Sequence, residues 1–242
     1  EVTYHVIGTS VANGCSSPVI PITVFVNPTP SVTPNPDLNL CHNEWTSQVL
    51  FTGNAVGTVY NWSASGAVVG LQSLGGIDSL NAFVANNASF APSIASIIVS
   101  PSFTYNNQSC VGLQDTFQIV VNPEPSVFAL NNMIVCEGTV VPSVPVLGPI
   151  GNSTFDWINS NAAIGLASTG VGNIPTFSAQ NPTALPIQSV ITVTPLYING
   201  PVTCSGQSTN YTITVNPTPN VISQNVAVCS GELLALNLTS DI

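Results

Sequence analysis

Six cysteines carry most of the chemistry that this 242-residue chain can offer. Cys15, Cys110 and Cys204 each lie 12 residues before the Asn of an Asn-Pro-x-Pro motif, at Asn27, Asn122 and Asn216. Cys41, Cys136 and Cys229 follow the same three Asn residues by 14, 14 and 13 positions. There is no Cys-x-x-Cys pair, and His5 and His42 are the only histidines, so the ligand spacing of a zinc site is missing. The two histidines read as turn or surface residues. Regular cysteines without a metal motif read as disulfides of an exported protein. Calcium requires clustered carboxylates. Asp37, Asp78, Asp115, Asp156 and Asp241 are scattered, and Glu44, Glu137 and Glu232 each follow a cysteine singly. A Ser-His-Asp site needs an acid beside a histidine, and no histidine recurs between repeats. No metal, cofactor or catalytic residue is expected, and the chain reads as a non-enzyme.

Lysine and arginine are absent, and 10 Asp+Glu give a net charge of −10. A phosphate-binding surface would lack its cations, which excludes nucleic acid as a partner. Solubility rests on Asn, Ser, Thr and Gln, a surface suited to an exposed extracellular protein. Mean hydropathy is +0.41, yet no run reaches the roughly 18–20 apolar residues of a spanning helix. The high Pro content fits a membrane β-barrel badly. The chain is expected not to be membrane-embedded.

The elements that must position these residues repeat. "ITVFVNPTPSV" at 22–32 returns as "QIVVNPEPSV" at 118–127 and "TITVNPTPNV" at 212–221. The motif Asn residues are spaced by 95 and 94, Trp62 and Trp157 by 95, and Pro101 and Pro195 by 94. The one-residue deletion is placed between Gly170 and Phe177. The period divides the chain into an incomplete upstream repeat (1–26), two complete repeats (27–121 and 122–215), and the start of a further one (216–242). The window is read as part of a longer array. Twenty Pro and 18 Gly interrupt helical windows, while β-branched runs of period two recur in "PITVFV", "TFQIVV", "QSVITVT" and "NYTITV". The expected fold class is all-β: tandem immunoglobulin-like β-sandwiches in an extended array. "TVVPSVPVLGP" places Pro142, Pro145 and Pro149 where the second strand belongs, so that strand is expected to be short and at an edge, or irregular.

Two cysteine schemes are open. One closes each repeat internally, Cys41 with Cys110 and Cys136 with Cys204; the other joins Cys15 to Cys41, Cys110 to Cys136 and Cys204 to Cys229. "VGLQDTFQIVV" reads as one extended strand that carries the chain roughly 35 Å from Cys110, whereas a disulfide needs Cα atoms within about 7 Å. This favours the internal scheme, with partners of Cys15 and Cys229 outside the window.

The order of Cys followed by Gly or a polar residue ("CEG", "CSGE"), an aromatic-x-Trp strand ("YNW", "FDW"), a Gly-rich loop, "IPTFSAQNPTALPIQSVITVTP", "CSG" and "TITVNPTP" resembles the PKD-like and immunoglobulin-like repeats of giant cell-surface, gliding-type adhesins of Bacteroidota, exported by the type IX secretion system. The repeat at 27–121 departs at "CHNEW", where a Gly is expected after the Cys. The resemblance implies a stalk or spacer of an extracellular filament whose partners are neighbouring repeats, other filament subunits or surface glycans. The alternative is a glycan- or protein-binding module using loops such as "GLQSLGGIDSL" and "GPIGNS".

Individual residues follow. Trp62 and Trp157 are assigned to the core, ahead of a sugar-stacking role. Asn27, Pro28, Pro30, Asn122, Pro123, Pro125, Asn216, Pro217 and Pro219 are assigned to stiff linkers, because Pro ends a strand and fixes φ. "DSL" at 78–80 resembles a Bacteroidota O-glycosylation acceptor, which makes Ser79 a candidate.

Overall fold

A computed structural model describes residues 1–220, 222, 225–233 and 240. The parts of the 216–242 segment at 221, 223–224, 234–239 and 241–242, Asp241 included, lie outside the described residues. The described residues are 45% strand and 1% helix, which settles the class as all-β. It divides into two compact units, Glu1–Asn86 with Ser93–Val121, and Asn87–Pro92 with Asn122–Ile242.

At the start, β1 (Val2–Val6) and β2 (Ile20–Val24) form an antiparallel pair. The rest of the first unit contains β3 (Leu38–Cys41), β4 (Val49–Leu50), β5 (Val59–Gly66), β6 (Gly75–Ile77), β7 (Ser79–Leu80), β8 (Ser93–Tyr105), β9 (Gln108–Val111) and β10 (Asp115–Asn122). The main sheet has the order β3-β10-β8-β5-β6, with β9 also on β8, and β4 pairs with β7 to make a second, two-stranded sheet. Alternation in β8 and β10 sends Ala95, Ile97, Val99, Phe117, Ile119 and Val121 inward, the period-two burial that β-branched runs of this kind specify.

The second unit repeats this plan with β11 (Met133–Cys136), β12 (Val140–Val141), β13 (Ser153–Asn159), β14 (Thr169–Val171), β15 (Phe177–Ser178), β16 (Ile187–Asn199), β17 (Val202–Ser205) and β18 (Thr209–Asn216). Its sheets are β11-β18-β16-β13-β14, with β17 on β16, and β12-β15. The first strand runs parallel to the last, from Met133↔Ile213 to Cys136↔Asn216. That pairing, with antiparallel neighbours elsewhere, is an immunoglobulin-like sandwich. Ile191, Val193, Tyr211, Ile213 and Val215 take the core places that Ile97, Val99, Phe117, Ile119 and Val121 hold in the first unit.

Three local findings refine the sequence reading. The proline-rich second strand shrinks to Val140–Val141, followed by a single bridge in which Val144 and Ile174 exchange backbone bonds of 3.0 Å. The expected continuous strand after Cys110 is broken at Gly112, whose N–H turns to Pro101 O at 3.0 Å before β10 begins. The deletion lies earlier than placed. Trp62 pairs with Gly76 and Trp157 with Gly170, so the offset has already fallen from 95 to 94 between Leu166 and Gly170.

Candidate functional site

The Asn-Pro-x-Pro motif is built into the unit that it opens. Asn27 Nδ2 donates to Tyr105 O at 3.2 Å and Gln108 O at 3.1 Å, tying down the β8–β9 turn. In the other unit the buried Asn122 accepts through Oδ1 from Asn199 Nδ2 at 2.8 Å, at the matching β16–β17 turn. Pro30 and Pro125 are buried. A Cβ placed on Gly112 would meet Pro30 O at 1.8 Å, and one on Gly206 would meet Pro125 O at 1.7 Å. Only glycine allows this backbone approach. The Gly two residues after Cys110 and Cys204 is therefore the seat of the second proline, a pairing of the two motifs that spacing alone does not reveal.

The cysteines require a correction. Cys110 and Cys136 are free thiols, as are Cys15 and Cys229, so neither Cys41–Cys110 nor Cys136–Cys204 forms. Cys41 and Cys204 are not free thiols. The register gives the reason. Cys136 pairs with Asn216, next to Val215, which faces Ile187 at the start of β16. Cys204 faces Tyr197, ten residues further along the same strand. At about 3.3 Å per residue the two cysteines of one unit sit roughly 33 Å apart, at opposite ends of the sandwich. The first unit matches: Cys110 faces Phe103, while Val121 at the end of β10 faces Ser93. Asp37 Oδ1 accepts from Gln118 N–H at 2.7 Å as Asn132 Oδ1 accepts from Thr212 N–H at 2.8 Å, which starts the first strand at the same place in both units. The expectation counted the length of the last strand but not the parallel first strand, which delivers its cysteine to the far end.

The turn after the first strand explains "CHNEW". Asn43 has φ 65°, Gly138 has φ 79° and Gly231 has φ 94°. Asn fills the left-handed position that Gly holds elsewhere, since its short polar side chain tolerates that conformation.

Trp62 and Trp157 are core residues, 6% and 3% exposed. Trp62 Nε1 donates to Ser79 O at 2.8 Å, whereas Trp157 Nε1 has no partner among the described residues. Ser79 is half-buried in β7, and its Oγ accepts from Gln48 Nε2 at 3.0 Å. Asp78 serves the backbone: at φ 61° its Oδ1 accepts from Tyr60 N–H at 2.9 Å. Asp115 accepts twice from Asn35, through N–H and Nδ2. Among the described residues no group of three His, Cys, Asp or Glu is arranged to hold a metal ion. No helix among them is long and apolar enough to cross a membrane. Burial pushes the Tyr211 phenol up to about 12.

The sequence reading gave no role to Trp45. It is 70% exposed, and the signal that sets it apart is its place: Val140 stands 95 residues on, and no tryptophan recurs there.

No family model matches the chain, and no curated protein matches it. Solved structures of similar fold include Sidekick-1 immunoglobulin domains 1–5, at TM-score 0.43 and 12% identity over 90% of this chain. Drosophila N-cadherin EC1-4 aligns at 0.37 and 16% over 90%, and human mucin-like protocadherin EC1-2 at 0.33 and 15% over 79%. The chain spans 47% of the first of these structures and 58% of the second. The fold assignment rests on the strand pairing described above.

Proposed function

We propose that this chain is a structural repeat segment of a large extracellular adhesin or surface filament, in which each unit is a stalk or spacer element. One observation carries the reading. Two units built on the same core positions also repeat the same docking of a leading Asn-Pro-x-Pro on a Gly-bearing hairpin, Pro30 on Gly112 and Pro125 on Gly206. Repetition of a complete fold with its connecting motif supports a role in which unit number matters more than any one surface. The absence of Lys and Arg supports exposure outside the cell. The resemblance to gliding-type adhesins of Bacteroidota supports neighbouring repeats as partners and export by type IX secretion.

Small-angle scattering on chains of two, four and six complete units tests the spacer role. A maximum dimension that rises in proportion to unit number is expected; growth as the cube root of mass would contradict it.

A second reading, a binding module, is favoured by one feature: the Gly-rich stretch after Trp62, "GLQSLGGIDSL", leaves Leu74 62% and Ile77 59% exposed, while its counterpart in the other unit reads "GLASTGVGNI" and is one residue shorter. Divergent loops on a constant scaffold suit recognition.

A further inference from the structure

Trp45 stands on a braced platform. Asn43 N–H donates to Ala85 O and Ala85 N–H to Glu44 O, both at 2.8 Å, and Thr46 N–H donates to Phe83 O at 2.9 Å. Thr46 Oγ1 also accepts from Phe83 N–H at 3.0 Å. The backbone under the indole is thus fixed before any ligand arrives, which lowers the ordering cost of binding. An indole held 70% open contributes little burial to the fold.

Beside it lies a groove of about 260 Å³ whose lining combines Leu38, Leu40 and Val49 with Glu44, Thr46 and Gln48. Glu44 Oε2 accepts from Cys41 N–H at 2.8 Å, and Gln48 Nε2 donates to Ser79 Oγ at 3.0 Å. Both side chains are therefore anchored, and the Oε1 of each is an acceptor for hydroxyl groups. The volume is below the roughly 300–1,000 Å³ of a drug-sized cleft, room for one or two sugar rings.

We propose that Trp45 is the stacking platform of a binding site for neutral pyranose rings of a surface polysaccharide. A pyranose presents an apolar C–H face to the indole and a rim of hydroxyl donors to Glu44 and Gln48. Sulfated, uronic or sialylated glycans are disfavoured, because the groove contains Glu44 and the chain has net charge −10 with no Lys or Arg. The site belongs to one unit only, since Val140 occupies the equivalent position of the other. It adds a ligand to a segment otherwise read as a spacer, and it does not depend on that reading.

The test uses the full chain labelled with nitrogen-15. It follows the three indole N–H signals while cello-, manno-, xylo- and chito-oligosaccharides and, in parallel, a sulfated oligosaccharide are added to about 20 mM, above the roughly millimolar affinity of a shallow one-ring site. The expected result is a saturable shift of the Trp45 signal with at least one neutral sugar, while the Trp62 and Trp157 signals hold still. Trp45→Phe identifies the signal by its loss and retains part of the affinity. Trp45→Ala weakens binding at least about tenfold without lowering the melting temperature. A Trp45 signal that no neutral sugar moves, Trp45→Ala binding as the parent does, or preference for a sulfated oligosaccharide would each overturn the proposal.

Discussion

Phe117 and Tyr211 occupy one core position in two units, opposite Ile97 and Ile191. Phe117 is 1% exposed and Tyr211 is 2% exposed, and the Tyr211 hydroxyl has no partner among the described residues. A buried hydroxyl without a hydrogen bond is a cost that phenylalanine avoids. Tyr211→Phe is expected to stabilise the second unit by about 0.5–1.5 kcal/mol, measured by urea unfolding. The pH dependence has a definite sign. The unfolded phenol ionises near pH 10, and in the fold burial moves it to about 12. Stability is fully present below pH 10 and falls as pH rises from there to 12, because the unfolded state then binds fewer protons, by up to about 1.4 kcal/mol per pH unit. Tyr211→Phe removes that loss; an unchanged alkaline profile would show that the phenol is not the group responsible. At this scale the sequence was informative about apolar partners and silent about polar ones. The place of a large aromatic in an immunoglobulin-like sandwich assigned Trp62 and Trp157 to the core, where both lie. The sequence held nothing to say that Trp62 Nε1 meets Ser79 O while Trp157 Nε1 meets no partner among the described residues, because each contact is set by backbone distant in sequence.

Strands and their connectors show why some expectations held and others did not. The period-two runs "PITVFV", "TFQIVV", "QSVITVT" and "NYTITV" fall in or across β2, β10, β16 and β18, since the two faces of such a strand are specified by side-chain type. Two-residue strands such as β12 were legible only as a proline conflict. The Asn-Pro-x-Pro stretch read as a linker from local chemistry alone. Its docking on Gly112 and Gly206 is a contact across some 80 residues, which a local pattern does not encode. The cysteine ends were missed for a related reason: they depend on the parallel pairing of β11 with β18, not on the length of either strand. The docking makes a sharp demand. Gly206→Ala would place a Cβ 1.7 Å from Pro125 O, a backbone atom that cannot swing aside. It is expected to cost the second unit about 2–4 kcal/mol and to shift its hairpin amide signals. Gly112→Ala should do the same to the first unit through Pro30. A melting curve unaffected by either change would show that the motif is an ordinary tether.

Across the whole molecule the period is the dominant fact, and it was fully legible because insertions and deletions amount to a single residue between the two repeats. Core positions, turn glycines or their Asn substitute, and the opening motif recur at offsets of 95 or 94. Nothing in the period announced the groove at Trp45, which breaks the repetition. If the units are self-sufficient folds that serve as serial spacers, each must resist load by itself. The most direct measurement is the force–extension curve of the reduced full chain pulled from its ends. The account predicts two unfolding events, each releasing 94–95 residues, a gain of about 300 Å after subtracting the folded span. A single event of about twice that length, or a featureless rise, would contradict it.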